Sequence, residues 1–159
     1  MTPSQWEQGK SPEHDLMQAD VLEFLRRAGE SPKPFLWNGK ERQIIRVRTD
    51  CEVLIQIRGR IAGFCDVVDW WQEHEPKVGK PFRLAFVYEI KPRIMSAGAI
   101  VRQLKATEFL MEQSMLAGDI GAEIRIAPVV PADDPNLPAL RRLWWGPVFP
   151  WDAEKSAFT

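Results

Sequence analysis

The sequence has few of the side chains on which several common protein chemistries depend. Its 159 residues include two cysteines, Cys51 and Cys65, and two histidines, His14 and His74. Two cysteines cannot form a disulfide framework or a four-cysteine zinc or iron–sulfur site. Two histidines exclude His-rich metal sites and disfavour a Ser-His-Asp triad. Catalysis, if any, is therefore expected to depend on carboxylates, lysine and an oxygen-ligated metal ion.

Long apolar segments are also missing. No apolar run approaches the ~18 residues that a membrane span requires, and MTPSQWEQGK has no apolar stretch behind a basic head, as a secretory signal would. The chain is therefore expected to be cytoplasmic and without a membrane partner. Its length, with 45% hydrophobic and 27% charged residues, indicates a globular protein of one domain.

The sequence also lacks an excess of positive charge, because it contains 21 Lys and Arg residues and 22 Asp and Glu residues. A globally basic nucleic-acid binder is not indicated. Arginines nevertheless outnumber lysines, 13 to 8, and several fall between positions 42 and 60. They are either solvated strand residues or contacts to a phosphate backbone. The candidate nucleic-acid-binding residues are Arg46, Arg48, Arg58 and Arg60.

Hydrophobic spacing predicts the elements in the first half of the chain. A helix begins at Ser11-Pro12, which can cap and start it, and runs to about residue 27. Two strand-like runs, 43–49 and 52–58, predict a tight hairpin at Thr49-Asp50, with a bulge as the alternative. The segment FCDVVDW is strand-like, and residues 82–90 have the apolar character of a buried central strand.

The second half predicts a helix over 97–116, a strand over 122–130, and a Pro- and Trp-rich tail with little regular pattern. The expected order is helix, strand, strand, strand, helix, strand. This is an α/β fold with a single mixed β-sheet flanked by helices. Residues 1–130 would form the domain, and residues 131–159 an extension that packs on it or on a partner.

Polar residues at the ends of two predicted strands form the candidate site. Glu89 and Lys91 are two apart on a strand, so they share one face, where burial is costly unless they pair or act. Asp66, on another strand, and Glu89 could hold one Mg²⁺ or Mn²⁺ ion through oxygen ligands. Such an ion polarises a phosphoryl oxygen and activates water, and a lysine can orient that water. The combination predicts phosphodiester hydrolysis.

The joint placement of these residues, rather than any one motif, gives the prediction its weight. The pattern acid-x-Lys alone is expected about once by chance in a chain of this composition. A second match, Glu75-Pro76-Lys77, lies in a predicted Pro- and Gly-containing loop, where nothing holds the two charged side chains on the same side. Here an acid on one strand is followed 23 positions later by Glu-x-Lys at the end of the next strand. Gln103 lies 12 positions after Lys91, in the following helix.

With these motifs the sequence resembles the PD-(D/E)xK nucleases, a superfamily that includes type II restriction enzymes, RecB-like and lambda-exonuclease-like nucleases and archaeal Holliday-junction resolvases. Their core is helix, three strands, helix, strand, and the resemblance covers about residues 11 to 130. It implies a restriction-endonuclease-like fold, a Mg²⁺- or Mn²⁺-dependent deoxyribonuclease, and DNA as the partner. By analogy, a homodimer or larger homo-oligomer is also implied.

The resemblance assigns a role to each matching position. Asp66 resembles the metal-binding Asp, Glu89 the second metal ligand and Lys91 the catalytic lysine. The carbonyl of Ile90 is a further candidate ligand. Gln103 resembles the helix glutamine of RecB-like members, and Glu13 resembles the acidic metal-site residue on the first helix.

The sequence also departs from the family pattern. Cys65 replaces the proline that precedes the Asp in some members, and Asp69 could compete with Asp66 as the ligand. Other acids share the first helix with Glu13. Three alternatives stay open: a buried ion-pair network without catalysis, a non-catalytic nucleic-acid-binding or assembly module on the same fold, and an RNA-directed nuclease.

Overall fold

The fold is taken from a computed structural model, which describes residues 11–76, 79, 81–117, 122–152 and 157–158. Its elements in chain order are α1 (Pro12–Ala28), β1 (Lys33–Trp37), β2 (Lys40–Ile57), β3 (Arg60–Glu73), β4 (Arg83–Ile90), α2 (Ala97–Ala117), β5 (Glu123–Pro131), α3 (Leu137–Leu143), β6 (Phe149–Asp152) and β7 (Ala157–Phe158). Among the helices of this described part, none combines the length and the apolar content that crossing a bilayer requires.

One mixed sheet organises the molecule. Its seven strands follow one another in chain order, from β1 to β7. Strand β5 runs parallel to β4 and to β6, and the other neighbouring strands are antiparallel. The parallel step from β4 to β5 needs a crossover, which α2 provides. The prediction of an α/β fold with a single mixed sheet flanked by helices is confirmed.

Two apolar layers hold the helices against the sheet. Helix α1 packs its apolar residues on Val67 and Tyr88. Helices α2 and α3 pack on a second core that contains Val68 and Val87. Because neighbouring strand residues point to opposite faces, α1 covers one face of the sheet and α2 covers the other.

The predicted hairpin at Thr49-Asp50 was wrong, because β2 is one strand of 18 residues. The chain reverses instead at Arg58-Gly59, where both residues have positive φ, 53° and 76°. Two such residues in sequence match the tight turn that suits the twist of antiparallel strands. The pairing of β2 with β3 is interrupted by a register shift between Arg46 and Arg48. The strand β1, which the sequence analysis did not predict, pairs with its first half.

The tail is more regular than the sequence suggested. Residues 137–143 form α3, and residues 149–152 form β6, which extends the sheet beside β5. Trp144 and Trp151 are buried in the two different cores. The indole N–H of Trp151 donates to Asp20 Oδ2 at 2.6 Å, so the tail is tied to α1.

Candidate functional site

Asp66 lies where β3 and β4 separate. The last pair of the ladder between these strands is Val67 with Tyr88. Beyond it, the backbone N–H of Ile90 donates to Asp66 Oδ2 at 2.8 Å. The carboxylate therefore takes the place that a backbone carbonyl would occupy in a longer ladder. Asp66 is only 4% exposed, so this contact is made away from bulk water.

His14 approaches the same carboxylate from α1. Ser11 caps the helix by accepting the N–H of His14, and Pro12 occupies the first turn. One turn into the helix, the buried imidazole places Nε2 at 3.1 Å from Asp66 Oδ1. Both oxygens of Asp66 thus have protein partners.

Sequence reasoning missed His14, although a signal was present. Positions 14, 17, 21 and 25 repeat with helical spacing, and all four are buried on the face of α1 that meets the sheet. A polar side chain at the start of an otherwise apolar stripe must find a buried partner. The predicted strand FCDVVDW offered two such partners, Asp66 and Asp69.

Glu89 is the second buried acid of the site. It is 6% exposed, next to Asp66 and the thiol of Cys65, and its Oε1 has no hydrogen-bond partner within the described structure. Burial, reinforced by the charge of Asp66 and only partly offset by Lys91, raises the pKa of Glu89 to about 8. Without a bound cation Glu89 is therefore mostly protonated at neutral pH.

Lys91 and Gln103 complete the group on the α2 side. Lys91 extends β4 by one further backbone bond, from its N–H to the carbonyl of Val129 at 2.8 Å. Its Nζ donates to Gln103 Oε1 at 2.6 Å, and Gln103 projects from the second turn of α2. The structure thus brings together four predicted residues from three elements: Asp66, Glu89, Lys91 and Gln103.

Other candidates lie outside this group. Glu13 is exposed on the first turn of α1, where its neighbour His14 faces the sheet instead. Asp69 is fully engaged, because its carboxylate accepts hydrogen bonds from Arg46, Thr49 and Trp71. Each oxygen of Asp69 accepts two hydrogen bonds, whereas each oxygen of Asp66 has one partner, so Asp69 is the less suitable metal ligand. Ile90 pairs with Val129 between β4 and β5, and its N–H donates to Asp66.

The four candidate arginines have different surroundings. Arg46 is buried in its pair with Asp69, stacks on Trp71, and donates to the carbonyls of Leu25 and Gly29 at the end of α1. The guanidinium group of Arg46 therefore makes its contacts within the folded protein. Arg48 is more exposed and pairs with Asp50. Arg58 and Arg60 are exposed at the β2–β3 turn.

The donor set suits a hard cation. Carboxylate oxygens are the preferred protein ligands of Mg²⁺ and Mn²⁺, and Glu89 presents one buried oxygen that no protein group satisfies. Within the residues that the structure describes, no cluster of three or more His, Cys, Asp or Glu side chains has a metal-binding arrangement. A cation would therefore depend on two carboxylates and on water or phosphate oxygens for its remaining ligands.

No protein-family model, no curated protein and no solved structure matches the chain. Any function of this protein must therefore be argued from the geometry of its own residues.

Proposed function

We propose that the protein is a Mg²⁺- or Mn²⁺-dependent deoxyribonuclease that hydrolyses phosphodiester bonds. The observation that carries this proposal is the convergence of Asp66, Glu89 and Lys91 where β3 and β4 separate, with one oxygen of Glu89 that has no partner among the described residues. Two buried acids at one point are costly in a fold that does not use them, since each must be removed from water.

The arrangement of the strands supports a restriction-endonuclease-like core. Helix α1 precedes β2, β3 and β4, and α2 then crosses over to β5, which is the order of helix, three strands, helix and strand. The acid of β3 and the acid–lysine pair of β4 fall on adjacent central strands of that core. In this interpretation β1, α3 and β6 are additions at its periphery.

Each residue of the site has a distinct part in the proposed reaction. Asp66 and Glu89 would hold the cation, and His14 keeps Asp66 in position by its 3.1 Å contact. When bound, the cation would polarise the phosphoryl oxygen and favour ionisation of a bound water. Gln103 holds the ammonium group of Lys91, which orients the attacking water and stabilises charge on the phosphate. Water oxygen bonds to phosphorus as the bond to the leaving oxygen breaks.

Substitution of Lys91 tests this proposal. We expect Lys91→Ala to reduce cleavage of single-stranded, duplex and branched DNA by at least about 100-fold, because a positioned charge at the phosphate is lost. Cation binding and the melting temperature should be retained, since Lys91 is a rim residue. Lys105→Ala, an exposed lysine of α2, serves as the matched control and should cleave as the wild type does.

Absence of cleavage by the wild type, with either cation and with every DNA form, would contradict the proposal. Equal activity of the wild type and Lys91→Ala would contradict it too, because the activity would then come from a contaminant or from other residues.

A second candidate is a non-catalytic DNA-binding or assembly module on the same fold. It is favoured by the contacts of Asp66, whose two oxygens both have protein partners. Calorimetric titration with Mn²⁺ separates the two candidates. The nuclease is expected to bind Mn²⁺ and to lose that binding in Asp66→Asn, whereas the module is expected to bind none with or without DNA.

A further inference from the structure

An exposed tryptophan lies on a rigid support at the end of α3. Trp145 is 70% exposed, although most large aromatic side chains of this protein are partly or fully buried. Its ring lies 5.4 Å from that of Trp144, which is 3% exposed and fixed in the core. The support is closely fitted, because a Cβ at Gly146 would lie 2.8 Å from Trp144 Nε1. Trp145 thus presents an aromatic face to solvent without the freedom of an ordinary surface side chain.

Two cationic side chains lie shortly before Trp145 in the chain. Arg141 and Arg142 are exposed in the last turn of α3, and no carboxylate of the described residues lies within ion-pair distance of either. Arg42, Arg46 and Arg48 are each paired with an acid, although Arg58 and Arg60, like Arg141 and Arg142, have no ion pair among the described residues. One arginine would be enough to complement the end of a helix of seven residues. Two guanidinium groups without an acidic partner among the described residues, three and four positions before an exposed indole, suit a ligand that has both phosphates and aromatic rings.

The loops that begin α3 connect this surface to the candidate site. Asn136 donates from its side chain to the carbonyl of Ile94 at 2.7 Å, and the N–H of Ile94 donates to Asp134 Oδ2 at 2.9 Å. Ile94 is three residues from Lys91 in the connection between β4 and α2. Since α3 is about 10 Å long, its end is within a few tens of ångströms of Lys91. A single strand of several nucleotides is long enough to span that separation.

We propose that Trp145, Arg141 and Arg142 form a docking surface for single-stranded DNA, on which an unpaired base stacks on Trp145 and its phosphates contact the two arginines. Single strands offer free base faces at every position, whereas a duplex offers them only at its ends. The proposal rests on the proposed nuclease function for its purpose, since it names the class of substrate, but the binding itself requires no cleavage.

The test measures binding of a fluorescent 20-nucleotide oligothymidylate by anisotropy, in EDTA so that no hydrolysis occurs. We expect Trp145→Ala to weaken binding by about tenfold or more, as loss of one stacked base does, and Trp145→Phe to restore most of it. Leu143→Ala removes another exposed apolar side chain of α3 and should bind as the wild type does. The tryptophan fluorescence of the wild type should be quenched on binding, and that of Trp145→Ala should be quenched less.

The arginines are tested by the salt dependence of the same measurement. Arg141→Ala with Arg142→Ala should lower the slope of log affinity against log salt by about 1.4, or about 0.7 for each phosphate contact. Lys33→Ala with Lys40→Ala, which removes one cation from β1 and one from β2, should leave the slope unchanged.

Several results would overturn the proposal. These are wild-type affinity in Trp145→Ala, wild-type preference for duplex over single strand at equal length, and self-association that depends on Trp145 in sedimentation velocity. A protein that binds the oligonucleotide through Trp145 but cuts no DNA would sustain the docking surface and contradict the nuclease.

Discussion

At the scale of single residues, the surroundings of Glu89 change its charge at neutral pH. Its pKa rises from 4.5 to about 8, chiefly because the group is buried and secondly because Asp66 is close. Glu89 is therefore protonated at pH 7 until a bound cation displaces the proton. Cys65, in contact with Glu89, is affected in the same direction, since burial and the two acids raise the pKa of its thiol. The thiol thus stays protonated and acts as a donor to Glu89.

This protonation predicts how stability depends on pH. Between pH 4.5 and about 8 the folded protein keeps a proton on Glu89 that the unfolded chain releases, so the folded state is favoured less as pH rises. The free energy of unfolding should fall steadily as pH rises through this window, by roughly 1 kcal/mol for each pH unit from this group alone. Glu89→Gln should remove the decline and make the cation-free protein more stable at pH 8.

Urea unfolding in EDTA at several pH values from 5 to 8 measures this effect. Glu41→Gln is the matched control, because Glu41 is an exposed acid of β2. A Glu89→Gln protein whose stability still declines as steeply as that of the wild type would show that Glu89 ionises normally.

Residues also show where sequence reasoning succeeds. Glu89 and Lys91 were predictable because side chains two apart on a strand share a face, and Gln103 because the next helix begins close to the end of β4. His14 was not predicted, because a single histidine in a helix carries no sign of its partner, which lies 52 residues away. The role of Arg46 was hidden for the same reason, since its acid, Asp69, belongs to another strand.

At the scale of elements, a buried ionic contact joins α1 to the sheet. Arg46 on β2 donates to two carbonyls at the C-terminal end of α1 and to both oxygens of Asp69 on β3. The guanidinium is 9% exposed and the carboxylate 1% exposed. One side chain thus sets the position of the helix whose other end holds His14 beside Asp66.

Removal of Arg46 should therefore destabilise the protein strongly. We expect Arg46→Ala to cost about 3–5 kcal/mol of unfolding free energy, because Asp69 would stay buried without its counter-charge. Arg48→Ala is the control, and its exposed pair with Asp50 should be worth at most about 1 kcal/mol. Equilibrium denaturation of both variants measures the difference, and similar losses in the two would argue against a buried ionic contact.

Elements also show why part of the fold escaped prediction. Thr49-Asp50 has the composition of a turn, but β2 continues through it because the side chains of both residues find partners on β3, at Asp69 and Trp70. A strand of 18 residues is far longer than the usual 3–10, so a break was the natural expectation. Strand β1 is short and contains Pro34, which is acceptable at the edge of a sheet but weakens the sequence signal.

At the scale of the whole molecule, the tail is integrated with the remainder of the fold. Strand β6 continues the sheet beyond β5, and Trp151 occupies the α1 core at 2% exposure. Its contact with Asp20 joins residues 131 positions apart. Such long-range contacts favour folding as one cooperative unit.

Trp151→Ala should accordingly lower the stability of the entire protein by about 3–5 kcal/mol, the usual cost of truncating a buried aromatic side chain. The loss should appear as one transition that near-ultraviolet dichroism and intrinsic fluorescence report at the same denaturant concentration. Trp145→Ala removes the same side chain at an exposed position and should change stability by less than about 0.5 kcal/mol. Two separate transitions in the wild type would mean that the tail folds independently.

The bond from Ile90 to Asp66 has a practical consequence for mutagenesis. Because this acid completes the pairing between two strands, Asp66→Ala would leave a buried N–H without an acceptor and would disturb the backbone that carries Glu89 and Lys91. Lost activity in that variant would then report a displaced strand as readily as a lost ligand. Asp66→Asn keeps an oxygen for the N–H while removing the negative charge. It is therefore the substitution that distinguishes loss of a metal ligand from disruption of the strand pairing.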